Sequence, residues 1–79
     1  MPTVLSVGPY RFFFYAGDGS ESEHVHVERE ANVAKFWLNP VRLASSGGFR
    51  PQELRRIQGL VEENQPQLLR RWNDFFYNQ

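Results

Sequence analysis

Hydrophobic and polar positions alternate along the first half of the chain and then change period. Glu23-His24-Val25-His26-Val27-Glu28 repeats every two residues. As a strand it puts His24, His26 and Glu28 on one face and Val25 and Val27 on the other. Upstream, Pro2-Thr3-Val4-Leu5-Ser6-Val7 is β-branched and closed by Gly8-Pro9, which predicts a first strand and a turn. Tyr10 to Ala16 contains Phe12-Phe13-Phe14-Tyr15, with apolar groups on both faces, as in a strand covered on both sides. Gly17 to Ser22 predicts an acidic, mobile loop. Downstream, Ala31-Asn32 suits a tight turn, because Asn tolerates positive φ. Val33 to Leu38 returns as the next strand, Asn39-Pro40 ends it, and Val41-Arg42-Leu43-Ala44 predicts a short further one. Ser45-Ser46-Gly47-Gly48 predicts a loop.

The helical period begins at Pro51, well placed at a first helical position. Glu53 stands where a capping box puts its acid, and Phe49 and Leu54 have the spacing of a hydrophobic staple. Arg50 would be the N-cap and is a poor one. Leu54, Ile57, Leu60 and Val61 form one stripe. Gly59, on the other side, costs about 1 kcal/mol against alanine, so this helix depends on packing. Asn64-Gln65-Pro66 predicts a break. A second helix follows, with Leu68, Leu69, Trp72, Phe75 and Phe76 on a broad apolar arc.

Strands followed by helices predict an α+β fold: an antiparallel meander of about four strands, then two C-terminal helices packed on one sheet face. The expected organisation is a single domain over residues 1–79, with the sheet in 1–44 and the helices in 51–77. Phe12, Phe14, Val25, Val27, Ala34, Phe36 and Leu38 should face the helices. Phe13, Tyr15, His24, His26, Glu28, Lys35 and Trp37 should share the opposite face.

Composition narrows the function. The 79 residues hold twelve aromatic side chains, which helps a chain too short to bury much of its surface. The absence of cysteine excludes disulfides, thiolate metal sites and a cysteine nucleophile, and fits a reducing, cytoplasmic setting. No apolar run is long enough to span a membrane, and no leader-like segment opens the sequence. Formal net charge is zero. Residues 1–40 hold five acidic and three basic side chains, whereas 41–79 hold six arginines and four acids. That imbalance is too mild for a nucleic-acid footprint, so nucleic acid is not the favoured partner.

The only two histidines, His24 and His26, are the centre of any candidate chemistry. On a strand they project side by side, as a metal chelate requires. Glu28 lies about 13 Å from His24 along such a strand, so a third ligand has to come from Asp18, Glu21 or Glu23. With that ligand unplaced, the pair is a weak metal candidate, and neither metal nor cofactor is expected. As acid and base, His24 and His26 suit a small ribonuclease, with Glu28 and Arg29 as further catalytic candidates and Arg11, Arg29 or Lys35 on phosphate. Glu28 and the acidic loop oppose this by repelling a polyanion. The His-Val-His-Val run is also similar to part of the histidine-triad nucleotide hydrolases, but Glu28 replaces the third histidine. Met1-Pro2 is similar to the start of tautomerases that use an N-terminal proline as base, but a strand follows where those place a helix. The aromatic and histidine face of Phe13, Tyr15, His24, His26, Glu28, Lys35 and Trp37 reads best as an interface. A small protein partner or a second copy of the chain is the expected occupant.

Several stretches together resemble the small bacterial domain-of-unknown-function family 4160. They are Met1-Pro2-Thr3-Val4, Tyr10 to Tyr15, His24-Val25-His26-Val27-Glu28-Arg29, Ala34 to Leu38, Gly48-Phe49, Glu62-Glu63-Asn64 and Trp72-Asn73, spanning almost the whole chain. Two positions depart from the family pattern: Glu23 stands where a proline precedes the first histidine, and Arg50 where a serine completes the capping box. The resemblance implies a small prokaryotic protein of undetermined activity, often the partner of another small domain in a two-gene, toxin–antitoxin-like arrangement. It supplies no catalytic residues. The combined expectation is a cytoplasmic interaction module, with the ribonuclease as the alternative.

Overall fold

A computed structural model of the chain describes residues 3–77. Pro2, named above as a strand start and as the base of the tautomerase resemblance, lies outside them. Five strands form one antiparallel sheet in sequence order: β1 Thr3–Val7, β2 Tyr10–Phe13, β3 His24–Arg29, β4 Asn32–Leu38 and β5 Val41–Ser45. Two helices follow, α1 Pro51–Glu63 and α2 Gln65–Phe76. This is the α+β architecture that the change of period predicts. The sheet reaches five strands, against about four expected, because the short run from Val41 pairs along β4.

Alternation decides what the sheet buries. Phe12, Phe14, Val25, Val27, Ala34, Phe36 and Leu38 are all fully buried and pack with Ile57, Val61, Leu68 and Trp72 from the helices. The β3–β4 register pairs Val25 with Phe36 and Val27 with Ala34, so one hairpin carries much of the core. That hairpin closes on Arg29 opposite Asn32, which makes Glu30-Ala31 its two-residue turn, one position before the expected Ala31-Asn32. Two-residue hairpin loops need positive φ at the first central residue. Glu30 supplies it, at φ 56°, although a non-glycine residue there costs about 1–2 kcal/mol.

The helices separate where Pro66 predicts. Asn64 caps α1 and its side-chain amide donates to Leu60 O at 2.8 Å. Gln65 then donates to Leu38 O at 2.8 Å, tying the start of α2 to the end of β4. At the other end of α1, Arg50 makes no side-chain cap bond. Glu53 does not complete a capping box either. It accepts from Tyr10 Oη at 2.8 Å and from Arg29 Nη2 at 2.9 Å.

The Arg29 guanidinium first, and the Tyr10 hydroxyl second, hold the Glu53 carboxyl below the ordinary glutamate range. A depressed folded-state pKa adds stability that is present above the unfolded value and is lost as pH falls through the folded one. Glu53→Gln should therefore remove part of the acid limb of a melting-temperature profile. Wild type and variant should converge at the low end of that limb. Parallel profiles would mean that the Arg29–Glu53 link contributes nothing.

Candidate functional site

The first residue of β3, His24, pairs with Trp37, and His26 pairs with Phe13 on one side and Lys35 on the other. What completes the site comes from the segment between β2 and β3. The strand expected over Tyr10–Ala16 ends at Phe13, and Ala16–Ser20 forms a 3-10 turn in place of a loose loop. The turn is locally determined. Asp18 N donates to Tyr15 O at 3.0 Å, Glu21 N donates to Asp18 O at 3.0 Å, and Tyr15 N donates to Asp18 Oδ2 at 2.8 Å. Gly19 lies so close to α2 that a Cβ there would sit 2.7 Å from the Phe76 ring.

This turn carries Asp18 onto the histidine pair. Asp18 Oδ1 lies 3.2 Å from His24 Nε2, and Asp18 Oδ2 lies 3.1 Å from His26 Nε2. One ligand atom from each of the three residues falls within 4.8 Å of the others. His24 Nδ1 sits 2.8 Å from Ser22 O. A carbonyl oxygen only accepts, so Nδ1 carries the proton, and in a neutral ring Nε2 carries a lone pair. That Nε2 is fully buried and has no hydrogen-bond partner, because its close approach to Asp18 lacks hydrogen-bond geometry. Burial pushes the pKa of His26 below the usual histidine value, outweighing the upward pull of the Asp18 carboxylate.

Aromatic rings form the walls. His24 lies between Trp37 and Trp72, with ring centroids at 5.6 and 5.1 Å. His26 stacks on Phe13 at 5.4 Å and meets Tyr15 at 4.6 Å. Of the seven residues expected on the face opposite the helices, His24 meets Trp72 of α2, and the rest do not form an open platform. Phe13 and His24 are buried, His26, Glu28, Lys35 and Trp37 are half-buried, and only Tyr15 is exposed, at 41%. Adjacent rings bury one another, and long cationic side chains cover what remains. Arg11 lies over Phe13 at 4.3 Å and pairs with Glu28 at 2.7 Å. Lys35 lies over Trp37 at 4.6 Å and pairs with Glu21 at 2.7 Å.

Of the candidate catalytic residues, the structure brings only His24 and His26 together. Glu28 is taken by Arg11, and Arg29 by Glu53 near the hairpin end. Of the three loop acids, Asp18 is the one that reaches the pair. Two imidazoles and a carboxylate are a donor set for divalent transition ions. With His24 buried and both Nε2 atoms directed at one carboxylate, the arrangement lends no support to acid–base attack on an RNA backbone.

A second feature adjoins this centre. β5 is an edge strand, and Arg42, Leu43, Ala44 and Ser45 are all exposed, Leu43 at 43%. Beside it a depression of about 220 Å³ is lined by Ser22, Glu23, Trp37, Asn39 and Arg42. His24, Trp37 and Arg42 form a continuous row across β3, β4 and β5. No helix among the described residues is long and apolar enough to cross a membrane.

Fold and site together define a two-layer α+β domain with a histidine–aspartate cluster beside an open sheet edge. The family model of the domain of unknown function DUF4160 matches residues 10–73, and the chain belongs to that family. No curated protein and no solved structure matches it.

Proposed function

We propose that this chain is a small cytoplasmic interaction module that binds an extended segment of a protein partner along β5. The observation that carries this reading is the place of β5 at the edge of the sheet, paired to β4 on one side, with Leu43 exposed; an edge strand is a template for a further strand. Strand addition gains affinity from main-chain hydrogen bonds and specificity from side-chain pockets along the edge. The depression at Trp37 and Arg42 is such a pocket, and the guanidinium favours a partner residue with a carboxylate or amide side chain. The sheet-face binding expected from the sequence thus narrows to the rim where that face meets β5. The two-gene, toxin–antitoxin-like arrangement implied by the family resemblance offers the partner: another small protein made alongside this one.

The test is a pull-down from the native host at endogenous expression, with Leu43→Lys as the variant. Leu43 is exposed, so the fold should tolerate the change, while the charge blocks the edge. Wild type should retain a small protein. The variant should retain at least tenfold less, about 1.4 kcal/mol of binding, at an unchanged melting temperature. Equal retention by both would overturn docking at β5, and wild-type self-association lost in the variant would make the occupant a second copy.

A further inference from the structure

We infer that Asp18, His24 and His26 form a binding site for one divalent transition-metal ion of the zinc, iron or nickel type. Three independent features of the geometry converge on this. First, the three residues converge. Asp18 Oδ1 lies 3.2 Å from His24 Nε2 and Oδ2 lies 3.1 Å from His26 Nε2, and one ligand atom from each residue falls within 4.8 Å of the others, so a modest closure of the rings reaches the edge of about 3.3 Å of a tetrahedron with bonds near 2.0 Å. Second, each of two ligands is oriented from behind by the backbone. Ser22 O accepts from His24 Nδ1 and so turns the lone pair of Nε2 toward Asp18. Tyr15 N donates to Asp18 Oδ2, which leaves Oδ1 directed at His24. Such outer partners fix tautomer and aim in metal sites.

Third, the His24 Nε2 atom lacks a hydrogen-bond partner although the ring is fully buried. A buried lone pair facing a carboxylate is unfavourable unless something positive lies between them. Among the described residues Trp72 Nε1 is the other buried side-chain group without a partner, but it is a donor and cannot ligate a cation. Lys35, the cation on the neighbouring strand, is engaged by Glu21 and lies over Trp37. A metal ion would give the His24 lone pair its partner and would take the place of the Nε2 proton through which His26 bonds Asp18 Oδ2 at 3.1 Å.

The ligand class follows from the donors. Imidazole nitrogen selects zinc, iron, nickel or copper over calcium and magnesium, which prefer all-oxygen shells. Three protein ligands leave a position of a tetrahedral ion for water or a partner's side chain. The site depends on nothing proposed for β5 and stands or falls separately from partner binding.

The probe is zinc sulfate, added to the full chain after stripping with a chelator, and followed by calorimetry and by ¹⁵N signals of the imidazoles. The expected result is one ion per chain, with the Nε2 signals of both His24 and His26 shifting and Nδ1 of His24 staying protonated. Magnesium at the same concentration should move neither ring. Asp18→Asn keeps an oxygen for Tyr15 N and should weaken zinc binding at least tenfold. His26→Gln should do the same, and Glu23→Gln should leave it unchanged. Absence of saturable binding at millimolar zinc would overturn the site, as would binding indifferent to Asp18→Asn and His26→Gln. So would a His24 Nε2 that stays protonated with zinc present, since a proton would then occupy the ion's place. The wild-type ring signals decide the matter even if a variant fails to fold.

Discussion

Replacing Trp72 with alanine is expected to bring the domain to the edge of unfolding at room temperature. Trp72 is fully buried in α2 and holds three parts of the molecule together. Its ring meets Phe14 at 5.2 Å, Phe76 at 4.3 Å and His24 at 5.1 Å. Truncating a buried tryptophan to alanine costs about 3–5 kcal/mol, the lost burial plus the cavity left behind. At the usual stability per residue a chain of this length holds about 4–12 kcal/mol in total. The loss is therefore a large share of the whole. Trp72→Phe should cost much less, because it keeps most of the ring and Nε1 has no hydrogen bond to lose. Urea denaturation of the three proteins checks this. Near-equal midpoints for wild type and Trp72→Ala would show that α2 does not depend on this ring.

The parts of the structure that obey a short period are legible in the sequence. The period of two through Val25 and Val27, and through Phe36 and Leu38, names the inward face, and all seven predicted inward residues are fully buried. Pro66 marks the helix break because proline removes a donor, whatever surrounds it. What is not legible depends on contacts between distant residues. Glu53 suits a capping box in its local setting, yet a tyrosine 43 positions away and an arginine 24 away take its carboxylate. The alternation places Phe13 on the outer face but does not reveal that Arg11, Tyr15 and His26 close over it. The histidine pair is legible from its spacing. The choice of Asp18 over Glu21 and Glu23 is not, because it depends on a 3-10 turn that no periodicity encodes. The signal that was present is local: an Asp between two glycines, three residues after Tyr15, can bend back to cap that residue's amide.

Gly47→Ala is expected to cost about 2–5 kcal/mol, combining the penalty for a left-handed residue with that of overpacking. Gly47 has φ 60°, and a Cβ there would sit 1.8 Å from Val33 O and 2.3 Å from Val33 C. The obstacle is backbone, so no rotamer change relieves it. The chain after β5 would have to lift away from the start of β4. Phe49 would resist, since it is buried and its N–H donates to Ser46 O at 3.1 Å across the same turn. Gly17→Ala is the matched control: it has no unusual φ and nothing within 4 Å of the added atom, so its effect should stay within about 0.5 kcal/mol. Denaturation midpoints separate the two, and equal midpoints would refute the close approach at Val33. The site of damage is also specific. Amide exchange in Gly47→Ala should rise first in β5, while the ring signals of His24 and His26, held by Asp18 and Trp72 elsewhere on the sheet, stay in place. A variant that loosens β5 and leaves the histidine cluster intact should then lose the proposed partner binding and keep the proposed zinc binding, which would separate the two proposals within one small domain.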